Sequence, residues 1–199
     1  MGPSPERLDS VCVYCGSSDA ADPDFLAGAA ELGRELAGAG MSLIYGGGGV
    51  GLMGACARAA HEAGGQVLGI IPDFLTSRER ALDVVETIVV TSMHERKLLM
   101  FERSDAFVVL PGGIGTLEEI VELLSWRRLD LHAKPVVFYN PKDFWAPLFA
   151  LFQHTVDQKL TPPAFMDSFV SVSTVEEIVP AIRARWGKSD TVPAVERLT

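Results

Sequence analysis

The sequence is poor in cysteine and in basic side chains, and it has no long hydrophobic run. Its 199 residues include three cysteines, and a domain of this length needs no disulfide to hold it. Lys and Arg total 17 against 26 Asp and Glu, a formal net charge of -9, which argues against general nucleic-acid or acidic-membrane binding. No apolar run reaches the roughly 18 residues of a transmembrane helix. The polar N-terminus lacks an apolar signal core, so we expect a cytoplasmic protein.

The few cysteines and histidines do not form a metal or redox motif. Cys12 and Cys15 make a C-x-x-C, but they lie in the apolar run VCVYC, which predicts a strand. Residues three apart on a strand point to opposite faces, whereas a thioredoxin-type pair lies at a helix start. We therefore predict buried structural thiols. The four histidines have no metal-ligand spacing, and we predict no metal.

What the sequence does contain is an alternation of short apolar runs with helical segments. The predicted strands are Ser10–Tyr14, Ser42–Tyr45, Gln66–Ile71, Asp83–Val90, Ala106–Leu110, Pro135–Tyr139 and Phe169–Val172. The predicted helices are Pro23–Ala39, Gly51–Ala63, Ser92–Arg103, Thr116–Leu129, Phe144–Gln158 and Thr174–Trp186. This order predicts an α/β fold in which helices cover both faces of a mostly parallel sheet, a three-layer sandwich. We expect one domain over 10–186, with loose tails at 1–9 and 187–199.

Three loops rich in small residues follow predicted strands, at Cys15–Ser18, Gly46–Gly49 and Pro111–Thr116. The carboxyl ends of parallel strands meet at one edge of the sheet, where open α/β folds bind their ligands. Each loop also leads into a helix, whose N-terminal amides and dipole favour an anion. The loops therefore predict a binding site for a small phosphorylated ligand, although a single glycine loop can also be only a tight turn.

One of these loops allows a different function. Gly49–Gly54 fits G-x-G-x-x-G between a strand and a helix, and Asp73 follows the next strand, where a dinucleotide fold places its ribose-binding acid. This interpretation predicts an NAD-linked oxidoreductase. Against it, the motif lies in the second βα unit, and little chain remains for a separate substrate domain. A third alternative is a nucleotide-binding or carrier module without catalysis.

The charged residues near the last glycine loop also have a plain structural interpretation. Thr116-x-x-Glu119 spells a capping box, in which Glu119 would only bond back to the backbone of Thr116. Ser92-x-x-Glu95 and Thr174-x-x-Glu177 spell the same device. Arg96, taken alone, is typical of a solvated helix charge. The residues alone leave these alternatives open.

Two motifs together carry a family resemblance. MHERK at Met93–Lys97, with PGGIGTLEE at Pro111–Glu119, resembles the "lonely guy" (LOG) family of cytokinin riboside 5′-monophosphate phosphoribohydrolases, which are often mislabelled as lysine decarboxylases. YGGGGVGLMG at Tyr45–Gly54 and GQVLGIIPDFLTSRE, ending in Glu79, resemble other stretches of that family. The match extends over about Val11 to Arg185.

The resemblance implies a Rossmann-like fold, a homodimer, no cofactor, and release of a free base and ribose 5-phosphate from nucleoside 5′-monophosphates, with N6-substituted adenine nucleotides as the expected substrates. It implies Arg96 and Glu119 as the catalytic pair. The substrate contacts that it implies are Glu79, Met93, Lys97, Gly112, Gly113, Ile114, Gly115, Thr116, Leu117, Glu118 and Ser125. Ser125 stands where plant members usually have Thr, and serine keeps the hydroxyl group at this position.

The implied chemistry suits these residue types. Breaking the ribosyl bond builds positive charge on the sugar, and a carboxylate such as Glu119 can stabilise it and orient or deprotonate water. Arg96 can hold that carboxylate, bind the substrate anion or assist the leaving base, and the sequence does not choose among these roles. The phosphate is expected on the amides of Gly113 to Thr116. Lysine decarboxylation normally needs a Schiff-base lysine and pyridoxal phosphate, for which we find no site in the sequence.

Overall fold

The computed structural model describes residues 7–77 and 80–187. Most of the two predicted tails therefore lies outside the described residues, as does the predicted substrate contact Glu79. Among the helices that are described, none is both long enough and apolar enough to span a membrane.

The described residues form a seven-stranded, wholly parallel sheet. The strands are β1 (Ser10–Tyr14), β2 (Ser42–Tyr45), β3 (Val67–Pro72), β4 (Glu86–Val90), β5 (Ala106–Val109), β6 (Val136–Tyr139) and β7 (Val170–Val172). They lie in the order β4-β3-β2-β1-β5-β6-β7, and every neighbouring pair is parallel. The predicted α/β fold with a parallel sheet is confirmed.

In the described residues, six α-helices cover the two faces of this sheet. They are α1 (Pro23–Gly38), α2 (Gly51–Glu62), α3 (Met93–Glu102), α4 (Ile114–Arg128), α5 (Ala146–Asp157) and α6 (Ile178–Arg185). Buried side chains of α1, α2 and α6 share one apolar cluster with the sheet, and those of α3, α4 and α5 share the other. The result is the predicted three-layer arrangement, with the sheet in the middle.

Strand β1 shows why the buried strands read as unbroken apolar runs. Val11, Val13 and Cys15 belong to the cluster under α1 and α2, whereas Cys12 and Tyr14 belong to the cluster on the other face. Side chains alternate across a strand, and both faces here are covered, so each position must be apolar. The prediction that Cys12 and Cys15 point to opposite faces is confirmed.

The cysteines behave as buried apolar residues. All three lie in the described part of the chain, where they form no disulfide. Burial raises the pKa of the Cys12 thiol well above its ordinary value, and it raises that of Cys56 to about 12. Because the thiolate is the reactive form, these two thiols are poor nucleophiles and poor redox groups.

The strand order reverses beside β1, and this reversal creates a crevice. β1 pairs with β2 on one side and with β5 on the other. The chain leaves β1 toward α1 on one face of the sheet, and it leaves β5 toward α4 on the opposite face. The two loops therefore diverge at the carboxyl edge of the strands, at the kind of position where open α/β folds bind ligands.

Candidate active site

A cleft of about 320 Å³ lies at this reversal point. Loops that follow β1, β2 and β5 form its walls, and side chains of α2, α3 and α4 complete it. The residues that line it are Val13, Cys15, Gly16, Ser17, Ser18, Gly46, Met53, Arg96, Met100, Gly113, Ile114, Gly115, Thr116 and Glu119. Its size is within the ordinary range for small-molecule sites.

Arg96 is a buried cation held by several groups at once. It lies on α3 and is only 5% exposed. Its Nε donates to the carbonyl of Ile70 at 3.2 Å, and its Nη2 donates to the carbonyl of Gly46 at 3.1 Å. A Cβ on Gly46 would lie 2.0 Å from Nη2, so only glycine lets the guanidinium approach this closely. The planar fork of arginine suits such simultaneous contacts, and lysine could not reproduce them.

Glu119 supplies the opposite charge. Its Oε1 lies 3.8 Å from Nη1 of Arg96, and the whole residue is 8% exposed. Buried charges are costly unless they are paired, and these two charges compensate each other inside the cleft. The interpretation of Arg96 as a solvated helix charge is therefore wrong.

The capping-box interpretation of Glu119 is wrong as well. Helix α4 begins at Ile114 with Gly113 as its N-cap, so Thr116 is the third helical residue rather than the cap. Glu119 is then the sixth residue of the helix, beyond the turn in which a capping glutamate works. The prediction placed the start of this helix two residues too late, at Thr116.

The N-terminus of α4 faces the cleft with its first-turn amides. Gly113, Ile114 and Gly115 are exposed, and the helical hydrogen bonds of this turn begin with the one from the Leu117 amide to the Gly113 carbonyl, at 3.0 Å. Within residues 7–77 and 80–187, no carbonyl or carboxylate accepts from the amides of Ile114, Gly115 or Thr116. Such amides, together with the helix dipole, make a site for an anion.

The G-x-G-x-x-G segment is arranged differently. A Cβ on Gly54 would lie 2.2 Å from the carbonyl oxygen of Gly49, and one on Gly51 would lie 2.5 Å from the backbone of Ser17. These glycines allow protein backbone to approach the start of α2 closely. Asp73 accepts a bond from the next amide, that of Phe74, at 2.7 Å. The geometry gives no support to a dinucleotide site on α2.

Comparisons with known proteins agree with the motifs. A family model described as "Possible lysine decarboxylase" matches residues 53–182. The cytokinin riboside 5′-monophosphate phosphoribohydrolase LOG5 of Arabidopsis thaliana is 41% identical over 192 residues, which are 96% of this chain and 84% of that protein. The probable phosphoribohydrolase LOGL9 of Oryza sativa subsp. japonica is 44% identical over 182 residues, 87% of this chain and 80% of that protein.

The chain belongs to the LOG family.

Solved structures place the LOG-family fold in a wider group. A molybdenum cofactor binding protein from Rippkaea orientalis superimposes with a TM-score of 0.68 at 25% identity, covering 90% of this chain and 98% of that one. DNA processing protein A from Helicobacter pylori superimposes with a TM-score of 0.58 at 11% identity, covering 89% of this chain and 81% of that one. The second likeness shows the fold alone.

Some residues that the LOG resemblance assigns to the substrate lie away from the cleft lining. The ammonium of Lys97 contacts the carboxylates of Glu118 and Glu122, the latter at 2.9 Å, and so joins α3 to α4. Leu117 packs against the apolar cluster of that sheet face, and Ser125 is exposed farther along α4. The assignment of these residues to substrate contact stays a prediction.

Two other assigned residues support the cleft from behind. Met93 places its sulfur 3.9 Å from Nη1 of Arg96. Gly112 is covered by the side chain of Thr116, since a Cβ on Gly112 would lie 2.1 Å from the Thr116 hydroxyl oxygen. The cleft is lined by Arg96, Glu119 and the segment from Gly113 to Thr116, and their roles in binding and catalysis stay predictions.

The cleft also contains residues that were not assigned to the site from the sequence. Val13, Met53 and Met100 form an apolar part of the lining. They carry no signal that separates them from core residues, because all three are almost fully buried. Ser17 and Ser18 belong to a loop that was recognised by its small residues, but their individual places in the wall were not predicted.

Proposed function

We propose that this chain is a phosphoribohydrolase that cleaves the N-glycosidic bond of nucleoside 5′-monophosphates, including N6-substituted adenosine monophosphates. The observation that carries the proposal is the buried pair of Arg96 and Glu119 beside the open N-terminus of α4. The names of the relatives that are 41% and 44% identical support the same activity.

In this proposal the 5′-phosphate binds the first turn of α4. The amides of Ile114, Gly115 and Thr116 supply donors, and the helix dipole favours the negative charge. Gly113 and Gly115 leave the surface open, since a Cβ on either would meet nothing within 4 Å. The amides and dipole of α4 thus compensate the phosphate charge locally, although the whole chain has a net negative charge.

Binding the phosphate there brings the sugar toward Glu119. Side chains on a helix lean toward its N-terminus, and residues three apart share a face, so Glu119 projects back beside Thr116. Its carboxylate can stabilise the positive charge that develops on the ribose, and it can orient or deprotonate the attacking water. The water oxygen bonds to C1′, the ribosyl bond to the base breaks, and the base keeps that electron pair and gains a proton.

Arg96 keeps the carboxylate in place for this step. Its contacts with Gly46 and Ile70 fix the guanidinium to the ends of two strands, so that its position does not depend on substrate. A fixed cation costs little reorganisation when charge moves in the transition state. In the same place it can attract the negative charge that builds on the leaving base.

The description of the family model suggests lysine decarboxylation instead. A decarboxylase that uses pyridoxal phosphate needs a lysine that can form a Schiff base. Among the described residues that line the cleft there is no lysine, and Lys97 is held in ion pairs outside it. The cleft therefore favours the glycosidic reaction.

We also propose a homodimer that uses the outer side of α4 and the loop after it. Leu129 and Leu131 are 57% and 66% exposed, and Val121 on the same helix is 47% exposed. Trp126, near the end of α4, packs edge-on against Phe101, with their ring centroids 5.2 Å apart. Light scattering is expected to give twice the 21.4 kDa mass of one chain, and Leu131→Asp to halve that value. A monomer at micromolar concentration would contradict this proposal.

The activity is tested by incubating the protein with AMP and with isopentenyladenosine monophosphate and separating the products. Free base and ribose 5-phosphate are expected from at least one of them, and both products are expected to form at least about 100-fold more slowly with the Glu119→Gln variant. An NAD-dependent absorbance change would favour the oxidoreductase instead. Nucleotide binding without release of base would favour a carrier module.

A further inference from the structure

The N-terminus of α2 is already filled by acceptors of the protein itself. The amide of Gly51 donates to Oδ1 of Asp19 at 2.8 Å. The amides of Leu52 and Met53 both approach the carbonyl of Gly16, at 3.1 and 3.4 Å. These are amides that a helix N-terminus otherwise offers to water or to an anion. Here a carboxylate, the usual partner of a helix dipole, comes from the loop after β1.

That loop lies between α2 and the cleft. Gly51 has a φ of +58°, and a Cβ on it would lie 2.5 Å from the backbone of Ser17 and Ser18, so the loop is in direct contact with the helix. On its other side the loop lines the cleft with Ser17 and Ser18. The amide of Gly16 donates to the carbonyl of Pro111 at 3.0 Å, which ties the same loop to the start of the PGGIG segment.

The bond between Asp19 and the Gly51 amide therefore helps to hold one wall of the cleft in place. Asp19 is the acidic side chain that fastens this loop to α2, and the loop faces the first turn of α4 across the cleft. The amides at the start of α2 are already occupied by the Asp19 side-chain oxygen and the Gly16 carbonyl, whereas an anion at the start of α4 meets amides that have no carboxylate on them in the described residues.

We propose that Asp19 is a positioning residue for substrate binding: by capping α2 it holds the Gly16–Ser18 wall in place and directs the substrate's phosphate to α4 rather than to α2. The proposal rests on the proposed function in taking a phosphorylated ligand as the substrate. It explains why a G-x-G-x-x-G segment occurs here without a dinucleotide site: its glycines allow the loop to reach the helix that Asp19 caps.

The test compares Asp19→Asn with Asp19→Ala. Asparagine keeps an oxygen that can accept from the Gly51 amide, whereas alanine removes it. For Asp19→Ala we expect KM for AMP and the Kd for inorganic phosphate to rise about five- to tenfold, the equivalent of a lost capping bond, with kcat within about twofold. Asp19→Asn is expected to restore both constants to within about twofold of the parent protein.

Two further variants keep the result clear. Glu62→Ala removes the same charge from the exposed far end of α2 and is expected to change neither constant. Asp19→Ser, with a shorter and weaker acceptor, is expected to give intermediate constants and replaces the alanine variant if that one does not fold.

Unchanged constants in Asp19→Ala, or in Asp19→Ser where that variant takes its place, would overturn the proposal. So would a loss in kcat alone, or equal losses in the asparagine and alanine variants. Titration with inorganic phosphate needs no turnover, so it decides the role of Asp19 even if the protein releases no base from any nucleotide. Absence of base release with an intact phosphate response would count against the proposed function only.

Discussion

Two helices on the same face of the sheet contain the same Ser/Thr-x-x-Glu pattern, and the structure uses it differently in each. In α3, Ser92 is the N-cap, and its hydroxyl accepts from the amide of Glu95 at 3.1 Å. Glu95 is exposed and accepts from the amide and the hydroxyl of Thr91, each at 2.9 Å. These bonds lower the pKa of Glu95. This is a cap in the ordinary structural sense.

In α4 the pattern lies inside the helix. Gly113 is the N-cap, so both Thr116 and Glu119 are helical and buried, and Glu119 faces Arg96 in the cleft. The Thr116 side chain fills the space over Gly112 instead of capping the helix. The comparison shows that spacing alone does not define a cap. The residue at which the helix starts decides whether the glutamate reaches backbone amides or a site.

The comparison is tested most directly by Glu119→Gln set beside Glu95→Gln. Both changes keep the shape of the side chain and remove its charge. Turnover is expected to fall by about 10²- to 10⁴-fold in Glu119→Gln, the usual scale for a positioned acid or base, and to stay near that of the parent protein in Glu95→Gln. Base release, nucleotide affinity and melting temperature are measured on both variants. Near-normal turnover in Glu119→Gln would show that its charge is not used.

Arg96→Lys is expected to have the next largest effect. A single ammonium cannot contact the carbonyls of Gly46 and Ile70 and the carboxylate of Glu119 together, so buried acceptors lose their donor. We expect turnover to fall about 10²-fold and the free energy of unfolding to fall by about 1–3 kcal/mol.

The double variant with Glu119→Gln separates two explanations. If Arg96 acts through Glu119, the two losses in turnover will not multiply, because residues that act as a unit are non-additive. Fully multiplied losses would mean that Arg96 contributes independently of the carboxylate. Urea unfolding of the same four proteins supplies the stability cycle.

The third prediction concerns the two glycines that set the start of α4. A Cβ on Gly112 would lie 2.1 Å from the Thr116 hydroxyl oxygen, so Gly112→Ala is expected to destabilise the protein by about 1–3 kcal/mol through overpacking. Gly113→Val places its side chain where the Cβ meets nothing within 4 Å. It is expected to leave the fold intact and to weaken nucleotide binding. Equal melting temperatures for the two variants would contradict this difference.

The sequence predicts the strands of the sheet well, because burial on both faces of the sheet makes the buried strands read as unbroken apolar runs. β1 and β2 begin and end at the predicted residues, Ser10–Tyr14 and Ser42–Tyr45. Helix starts are predicted less well. α4 begins two residues before the predicted Thr116, and α6 begins at Ile178, four residues after the predicted Thr174. Capping patterns are local, whereas a helix start also depends on which residues the fold buries.

The sequence predicts only part of the site, because only some of its contacts leave a local pattern in the sequence. Glycine loops after parallel strands indicate the edge of the sheet at which the cleft lies, and the family motifs indicate Arg96 and Glu119, which line it. The bond from Gly51 to Asp19 joins residues 32 positions apart and has no local signal. The apolar lining of Met53 and Met100 likewise has the composition of core. Contacts that depend on how distant loops meet require the folded chain.

The smallest expected effect is the one on the exposed cap of α3. The pKa of Glu95 is lowered in the folded protein by its bonds to the amide and hydroxyl of Thr91. A lowered folded pKa means that the stabilisation is present above the unfolded value, near 4.5, and is lost as the pH falls through the folded value. Glu95→Gln is therefore expected to melt slightly below the parent protein at pH 7, by less than about 4 °C, and this difference is expected to shrink as the pH falls below the unfolded value. Melting curves across this range, with Glu62→Gln as the exposed control without a capping bond, measure the difference. If the difference in melting temperature between the parent protein and Glu95→Gln does not shrink on acidification, the Glu95 charge does not strengthen the cap.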